Sequence, residues 1–265
     1  MNLQTASAAA ASCEAAAAIS LAGSPPALST PVVVVVLADV APSWRMWGWS
    51  RIVLGAHSLR GVPGLQFAKV MGSGFEGGFG LRPSASRQGL FASFDNVAAA
   101  DEFVARSAVM ASYRARCSEL CVATLRAWSS RGSWGGVALP VACPAPANGP
   151  VAALTRASIR VTKAAAFWSL APAAQVALEA APGCRLAAGL GEAPLLRQAT
   201  FSVWDSVQAM DDYARSGAHL AAVKAAHRHG YFTESMFVRF VPLSVHGTWR
   251  GVDSDHALVH RRGHG

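Results

Sequence analysis

The feature that most constrains this 265-residue chain is a stretch that occurs twice, 110 residues apart. "FASFDNVAAADEFVARSAVMASYRARC", from Phe91, aligns without a gap on "FSVWDSVQAMDDYARSGAHLAAVKAAH", from Phe201. Asp95 meets Asp205, Val97 meets Val207, Phe94 meets Trp204, Phe103 meets Tyr213 and Arg114 meets Lys224. Each copy reads as a short alternating strand, an Asp that can cap the next helix, and a helix with acidic residues in its early turns. Asp205 with Gln208 resembles a capping box.

The echo continues upstream, where "GLQFAKVMGSG" and "GCRLAAGLGE" each read as a strand ending in glycines. The first half then predicts a strand at 33–40, a helix at 44–54, strands at 65–71 and 90–94, a helix, and a strand at 121–128. The second predicts a strand at 157–163, a helix at 167–180, strands at 184–190 and 199–204, a helix, and a strand at 236–244. Both are βαββαβ, the ferredoxin-like unit. Such a sheet carries helices on one face only, so a second copy can cover the bare face. The expectation is an α+β fold of two fused ferredoxin-like repeats, a dimeric-α/β-barrel-like architecture with two sheets around an apolar cavity. The boundaries read as an Ala/Ser-rich disordered extension at 1–31, repeats at 32–129 and 154–250, a Gly/Pro linker at 130–153 and a basic tail at 251–265.

Hydrophobic residues make up 52% of the chain and charged ones 14%, yet no apolar run reaches the roughly 18–20 residues of a membrane span. "PVVVVVLADV" reads as a buried strand. The net charge of +8 and the ending "HRRGHG" favour an anionic surface such as a lipid leaflet, and no nucleic-acid motif accompanies them. Residues 1–31 hold no Lys or Arg and so lack the charged start of a secretory signal and the arginines of a transit peptide. Cys13, Cys117, Cys121, Cys143 and Cys184 form no paired framework; Cys117 and Cys121 read as one helical turn apart, and reduced thiols point to a cytoplasmic protein.

Among candidate sites, Gly72, Gly74 and Gly77 form a literal G-x-G-x-x-G. Pro83 and further glycine follow where a phosphate-binding helix is required, so a hairpin loop is the better reading. Trp44, Met46, Trp47 and Trp49 crowd one helix beside Arg45 and Arg51, as core packing, a dock for a flat ligand, or an interfacial anchor. Arg131 and Trp134 sit in the linker, either at a cavity mouth or in an exposed turn. No Ser/His/Asp or Cys/His set suggests hydrolysis.

"SGAHLAAVKAAHRHGYF" places His219, His227 and His229 on one predicted helix. At about 100° per residue His219 lies about 80° from His227 and His229 diverges further, so the three cannot converge on one zinc. A haem iron needs only one protein histidine. Against the first copy, His219 replaces Val109, His227 replaces Cys117 and His229 replaces Glu119. His227 reads as a core residue and His229 as a cation at a helix end.

"GPVAALTRASIRVTKAAAFW", "GLGEAPLLRQATFSVW", "SGAHLAAVKAAHRHGYF" and "FVRFVPLSVHGTWRG" together resemble the spheroidene monooxygenase family, the bacterial acyclic carotenoid 2-ketolases, over roughly residues 64–250. The resemblance implies a haem-containing monooxygenase that uses dioxygen and an external electron donor, with ferredoxin one candidate, to oxidise C2 of an acyclic carotenoid to a ketone. It places His219 on the family's histidine, as axial ligand of the haem iron, and Arg239 with Phe240 on its "ARF" ending. Trp168, Trp204, Arg131, Trp134 and Arg239 are then expected near the haem or substrate pocket. An electron-transfer protein is the implied partner, and peripheral contact with the inner, photosynthetic membrane suits the substrate. A non-catalytic haem or apolar-ligand binding module and a cofactor-free monooxygenase are the competing functions for this fold.

Overall fold

In the computed structural model, which describes residues 30–254 except 79, 81, 194 and 195, the valine run is strand β1, Val32–Val40. Its side chains feed two cores: Val33, Val35 and Leu37 join one, and Val32, Val34 and Val36 the other. A strand buried on both faces has no polar side to alternate with, which is why it reads as an unbroken apolar run.

Helix α1 (Arg45–Leu54), strands β2 (Leu65–Gly74) and β3 (Pro83–Phe94), helices α2 (Val97–Arg106) and α3 (Ala108–Arg116) and strand β4 (Cys117–Gly132) complete the first half. The order returns as β5 (Val151–Ile159), α4 (Ala164–Glu179), β6 (Cys184–Ala193), β7 (Arg197–Trp204), α5 (Val207–Ala214), α6 (Gly217–His229) and β8 (Phe232–Trp249), with a short β9 (Val252–Asp253). The sheet runs β4-β1-β3-β2-β6-β7-β5-β8-β9, with antiparallel neighbours throughout. In each half the first strand lies between the third and the fourth.

Pairing of β4 with β8, from Cys121 opposite Gly247 to Gly132 opposite Met236, closes this mixed α+β fold into a barrel. The two seams differ. Among the described residues β2 meets β6 only at Gly72–Gly191 and Ser73–Leu190, reinforced by the Ser73 hydroxyl donating to the Gly189 carbonyl at 2.6 Å. At the longer seam, Gly132 (φ +82°) and Gly247 (φ +94°) stand so close to the opposite strand that a Cβ would lie 2.0 Å from the Ser235 or Leu120 carbonyl oxygen. Only glycine fits either position.

Sequence reasoning placed an apolar cavity between the two sheets, and the barrel interior is instead filled. The linker turns inward after Gly132, and Trp134 and Leu139 join the inward-facing residues of the strands. Trp134 is 1% exposed, with Phe91 and Phe67 at 5.2 and 5.7 Å between ring centroids. A small barrel is just wide enough for side chains to fill, and this one takes in an indole from its own linker.

Other expectations shift in detail. The strand expected at 157–163 lies earlier, as β5, and Val161, within the expected range, is exposed in a 3-10 turn. Each single helix of the repeat is two, α2/α3 and α5/α6. The helix caps are Asn96 and Ser206, whose side chains accept from the Ala99 and Ala209 amides, one residue beyond the expected aspartates. Cys117 and Cys121 lie on a strand, not a helix. Residues 1–29 and the "HRRGHG" tail lie outside the described residues.

Candidate functional site

The site begins with α6. Ser216 precedes the helix with its hydroxyl donating to Asp212 O at 2.6 Å, and Gly217 (φ +54°) makes the sharp turn from α5. Gly230 ends it in the left-handed region, its amide reaching back to Ala226 O and His227 O. Between these ends His219, Ala222, Val223 and Ala226 recur at helical spacing on one face and line a cavity of about 220 Å³. The outer face of the sheet supplies the floor through Thr155 and Ala157 of β5 and Thr200, Ser202 and Trp204 of β7. Helix α4 closes the other side with Phe167, Trp168, Ala171 and Ala174.

His219 is the strongest ligand candidate here. Burial lowers its pKa from the usual 6.5, so the imidazole is neutral at physiological pH and keeps a nitrogen lone pair. The ring lies against Tyr213, 4.7 Å between centroids, and makes no hydrogen bond among the described residues. Tyr213 is fixed in turn by donating its hydroxyl to Ala174 O at 3.2 Å and packing on Trp204 at 5.3 Å. Burial pushes the Tyr213 phenol up to about 12, so it stays protonated. Trp204 donates its indole N–H to Ser202 Oγ at 2.9 Å, which leaves few polar groups facing an otherwise apolar space.

Of the residues expected at the pocket, Trp168 and Trp204 line it beside His219. Arg131 does not: it is exposed near the end of β4, opposite Phe237. Trp134 lies in the barrel interior. Arg239 is held under α5 by Asp211 at 2.6 Å, with its guanidinium 5.4 Å from the Trp128 ring centre. His227 lies at the cavity rim and is exposed, where a core position was expected; His229 stacks on Tyr231 at 5.9 Å.

Sequence reasoning missed Tyr213, Phe167 and Gln198 in the lining. The match of Tyr213 to Phe103 in the other copy was the available signal. It also missed a charged cluster at the barrel mouth. Arg156, with a side chain 4% exposed, reaches Glu234 and Glu192; Lys69 pairs with Glu192 at 3.1 Å; and Glu192 accepts the Trp134 indole N–H. Burial alone would raise the Glu234 pKa, but hydrogen bonds from Gly136, Ser133, Gly135 and Arg156 outweigh it and hold the carboxyl at about 2. This cluster clamps the linker and with it Trp134.

Among the described residues no group of three or more His, Cys, Asp or Glu side chains could hold a metal ion, and no helix is long and apolar enough to cross a membrane. Burial raises the Cys117 and Cys184 thiols to about 12 and 11, so neither is a thiolate at neutral pH. What the cavity offers is the buried, neutral imidazole of His219 in largely apolar, aromatic walls, with His227 at the rim. That donor set suits a flat cofactor with a single protein ligand better than a free ion.

No family model matches the chain. Curated relatives do: the spheroidene monooxygenase of Rubrivivax gelatinosus is 55% identical over 254 residues, 95% of this chain and 98% of that protein. That of Rhodobacter capsulatus is 39% identical over 212 residues, 78% and 88% of the two chains. Among solved structures, an aldoxime dehydratase superposes with a TM-score of 0.53 at 12% identity over 83% of each chain, a likeness of fold alone.

Proposed function

The chain belongs to the spheroidene monooxygenase family, an oxygen-using oxidoreductase, and from that premise we propose that it is a haem-dependent ketolase that converts C2 of an acyclic carotenoid such as spheroidene to a ketone. The observation that carries the reading is His219, a neutral and otherwise unbonded imidazole facing an apolar cavity between Trp168 and Trp204.

The target is a C–H bond with no acidic proton, which general acid–base groups cannot activate; a bound haem supplies the oxidising chemistry they lack. Two hydroxylations at one carbon followed by loss of water give the ketone. Each hydroxylation consumes one dioxygen and two electrons, so an external donor such as a ferredoxin is part of the proposal. His219 would hold the haem iron, kept neutral by burial and oriented by the Tyr213 ring. Phe167, Trp168 and the alanines of α4 exclude water, and Thr155, Gln198, Thr200 and Ser202 are among the few polar groups available to orient one end of a hydrocarbon. At about 220 Å³ the cavity is smaller than the roughly 300–1,000 Å³ of most small-molecule sites, so α4 and α6 must part to admit a macrocycle or a polyene.

We take residues 32–129 and 154–250 as two fused ferredoxin-like repeats, supported by the strand order common to both halves. A substrate dissolved in lipid favours a cytoplasmic protein in peripheral contact with the inner, photosynthetic membrane. The test is haem addition to the purified chain: a Soret band lost in His219→Ala and kept in His227→Ala supports the ligand, and spectra indifferent to His219 overturn it. Expression with oxygen in a spheroidene-accumulating host tests the chemistry through a red-shifted ketocarotenoid.

A further inference from the structure

Helix α1 keeps Trp47 and Ile52 against the core but turns much of its apolar surface to water. A surface helix normally turns its apolar stripe to the core and its charges to water. Here the side against the sheet carries Gly48, where a Cβ would lie 2.9 Å from the Gln88 side chain, and Trp47, edge-on to Tyr113 at 5.2 Å. On the other side Met46 and Val53 are each 82% exposed, Trp49 44% and Leu54 46%, with Trp44, just ahead of the helix, also at 44%. At about 100° per residue, Met46, Trp49 and Val53 share an arc of about 60°. Core packing, one sequence reading of this cluster, describes Trp47 but not Trp44, Met46 or Trp49.

The charge around this face has one sign. The sequence holds no Asp or Glu from Val40 to Phe75. Arg45, Arg51, Arg60 and Arg116 pair with no carboxylate among the described residues. Arg116 lies over Trp44 and Trp47 at 4.7 and 5.3 Å, and Arg51 over Trp47 at 5.7 Å. Helix α4, the counterpart in the second half, has no arginine in its sequence AAAFWSLAPAAQVALE.

We propose that the outward face of α1 docks the protein on an anionic lipid bilayer, with Met46, Trp49 and Val53 entering the interfacial layer and the exposed Arg45 and Arg60, with Arg116 beside Trp44, meeting phosphates. Charge decides against a second copy on this face, because two-fold pairing would set unpaired arginines against their own kind, whereas headgroup phosphate neutralises them. Ten residues of helix span only about 15 Å, so α1 lies in the plane of the interface. Tryptophan suits that depth, with an apolar ring and a polar N–H. This deepens the peripheral-membrane part of the reading above and is independent of haem and of catalysis.

The experiment is flotation of the full chain with phosphatidylcholine vesicles, with and without phosphatidylglycerol. Binding is expected to need phosphatidylglycerol, weaken with salt, and fall at least about tenfold in a Met46→Ser, Trp49→Ser, Val53→Ser variant. Circular dichroism checks that the variant is folded. Should it not fold, Trp49→Phe keeps the apolar face, and quenching of the parent by brominated lipids must fall when that indole is removed. No binding, equal binding by a folded triple variant, quenching indifferent to Trp49, or a vesicle-free dimer dissolved by the triple variant would each overturn the proposal.

Discussion

The helix layers of the two halves differ where the two halves are otherwise most alike. Among the described residues, twelve buried apolar residues form the core between the sheet and α1, α2 and α3 in the first, and four do so beside the cavity in the second. At the repeat spacing exposed Ala111 and Arg114 fall on exposed Ala221 and Lys224, so the inner faces of α3 and α6 compare position by position. Tyr113, 2% exposed, fills the first layer against Trp47 and donates its hydroxyl to Gln88 Oε1 at 3.2 Å. Its counterpart is Val223, and the counterpart of Gln88 is Gln198; both line the cavity. Val109 becomes His219. Loss of one aromatic ring opens the space, and a valine-to-histidine exchange equips it.

Putting the ring back is the severest way to break that difference. Val223→Tyr should fill the cavity, with Gln198 placed to accept the new hydroxyl as Gln88 does for Tyr113. Activity should drop to background and haem should no longer produce a Soret band, while thermal stability holds. Ketolase activity surviving in a folded Val223→Tyr protein would show that the cavity is not the site.

The reverse change tests the first half as scaffold. Tyr113→Ala removes a fully buried aromatic and leaves Gln88 without its partner; truncations of this kind cost about 3–5 kcal/mol. Urea denaturation should show that loss, with specific activity close to the parent's below the lowered transition. A large loss of activity in protein that is still folded would give the first half a share in the site.

The repeat was legible because one packing problem is solved twice with the same spacing of apolar residues, and β1 because both its faces are covered. The aspartates misled about the caps because they are engaged elsewhere: Asp95 accepts from the Asn96 side chain at 2.8 Å and Asp205 pairs with Arg185. The gapless match also fails after α3. Cys117 opens a strand, whereas His227 and His229 lie in a further turn of α6, so neither histidine replaces a first-half residue. The position of the cavity was hidden for a different reason. Local pattern says that Trp134 is a bulky residue among glycines, but only the closed barrel shows that the linker can fold it inward. The outward apolar face of α1 was hidden likewise, since helical spacing identifies a stripe without saying which way it faces.

The smallest expected effect isolates the one polar exchange between the layers. His219 is neutral in the fold because burial lowers its pKa below 6.5, while in the unfolded chain it titrates near that value. Between the two pKa values the unfolded state binds more protons than the native state, so stability rises with pH there. The contribution is fully present above 6.5 and is lost as pH falls through the window below it, with a slope of at most about 1.4 kcal/mol per pH unit for one proton. His219→Val, which installs the first-half residue, should leave stability near pH 8 within about 1 kcal/mol of the parent and flatten the decline below about pH 6.5. Urea midpoints across that range measure the difference. Parallel profiles would mean that the imidazole takes up its proton in the fold as readily as in the unfolded chain, and that the cavity face of α6 is wet where the apolar walls of the second half require it to be dry.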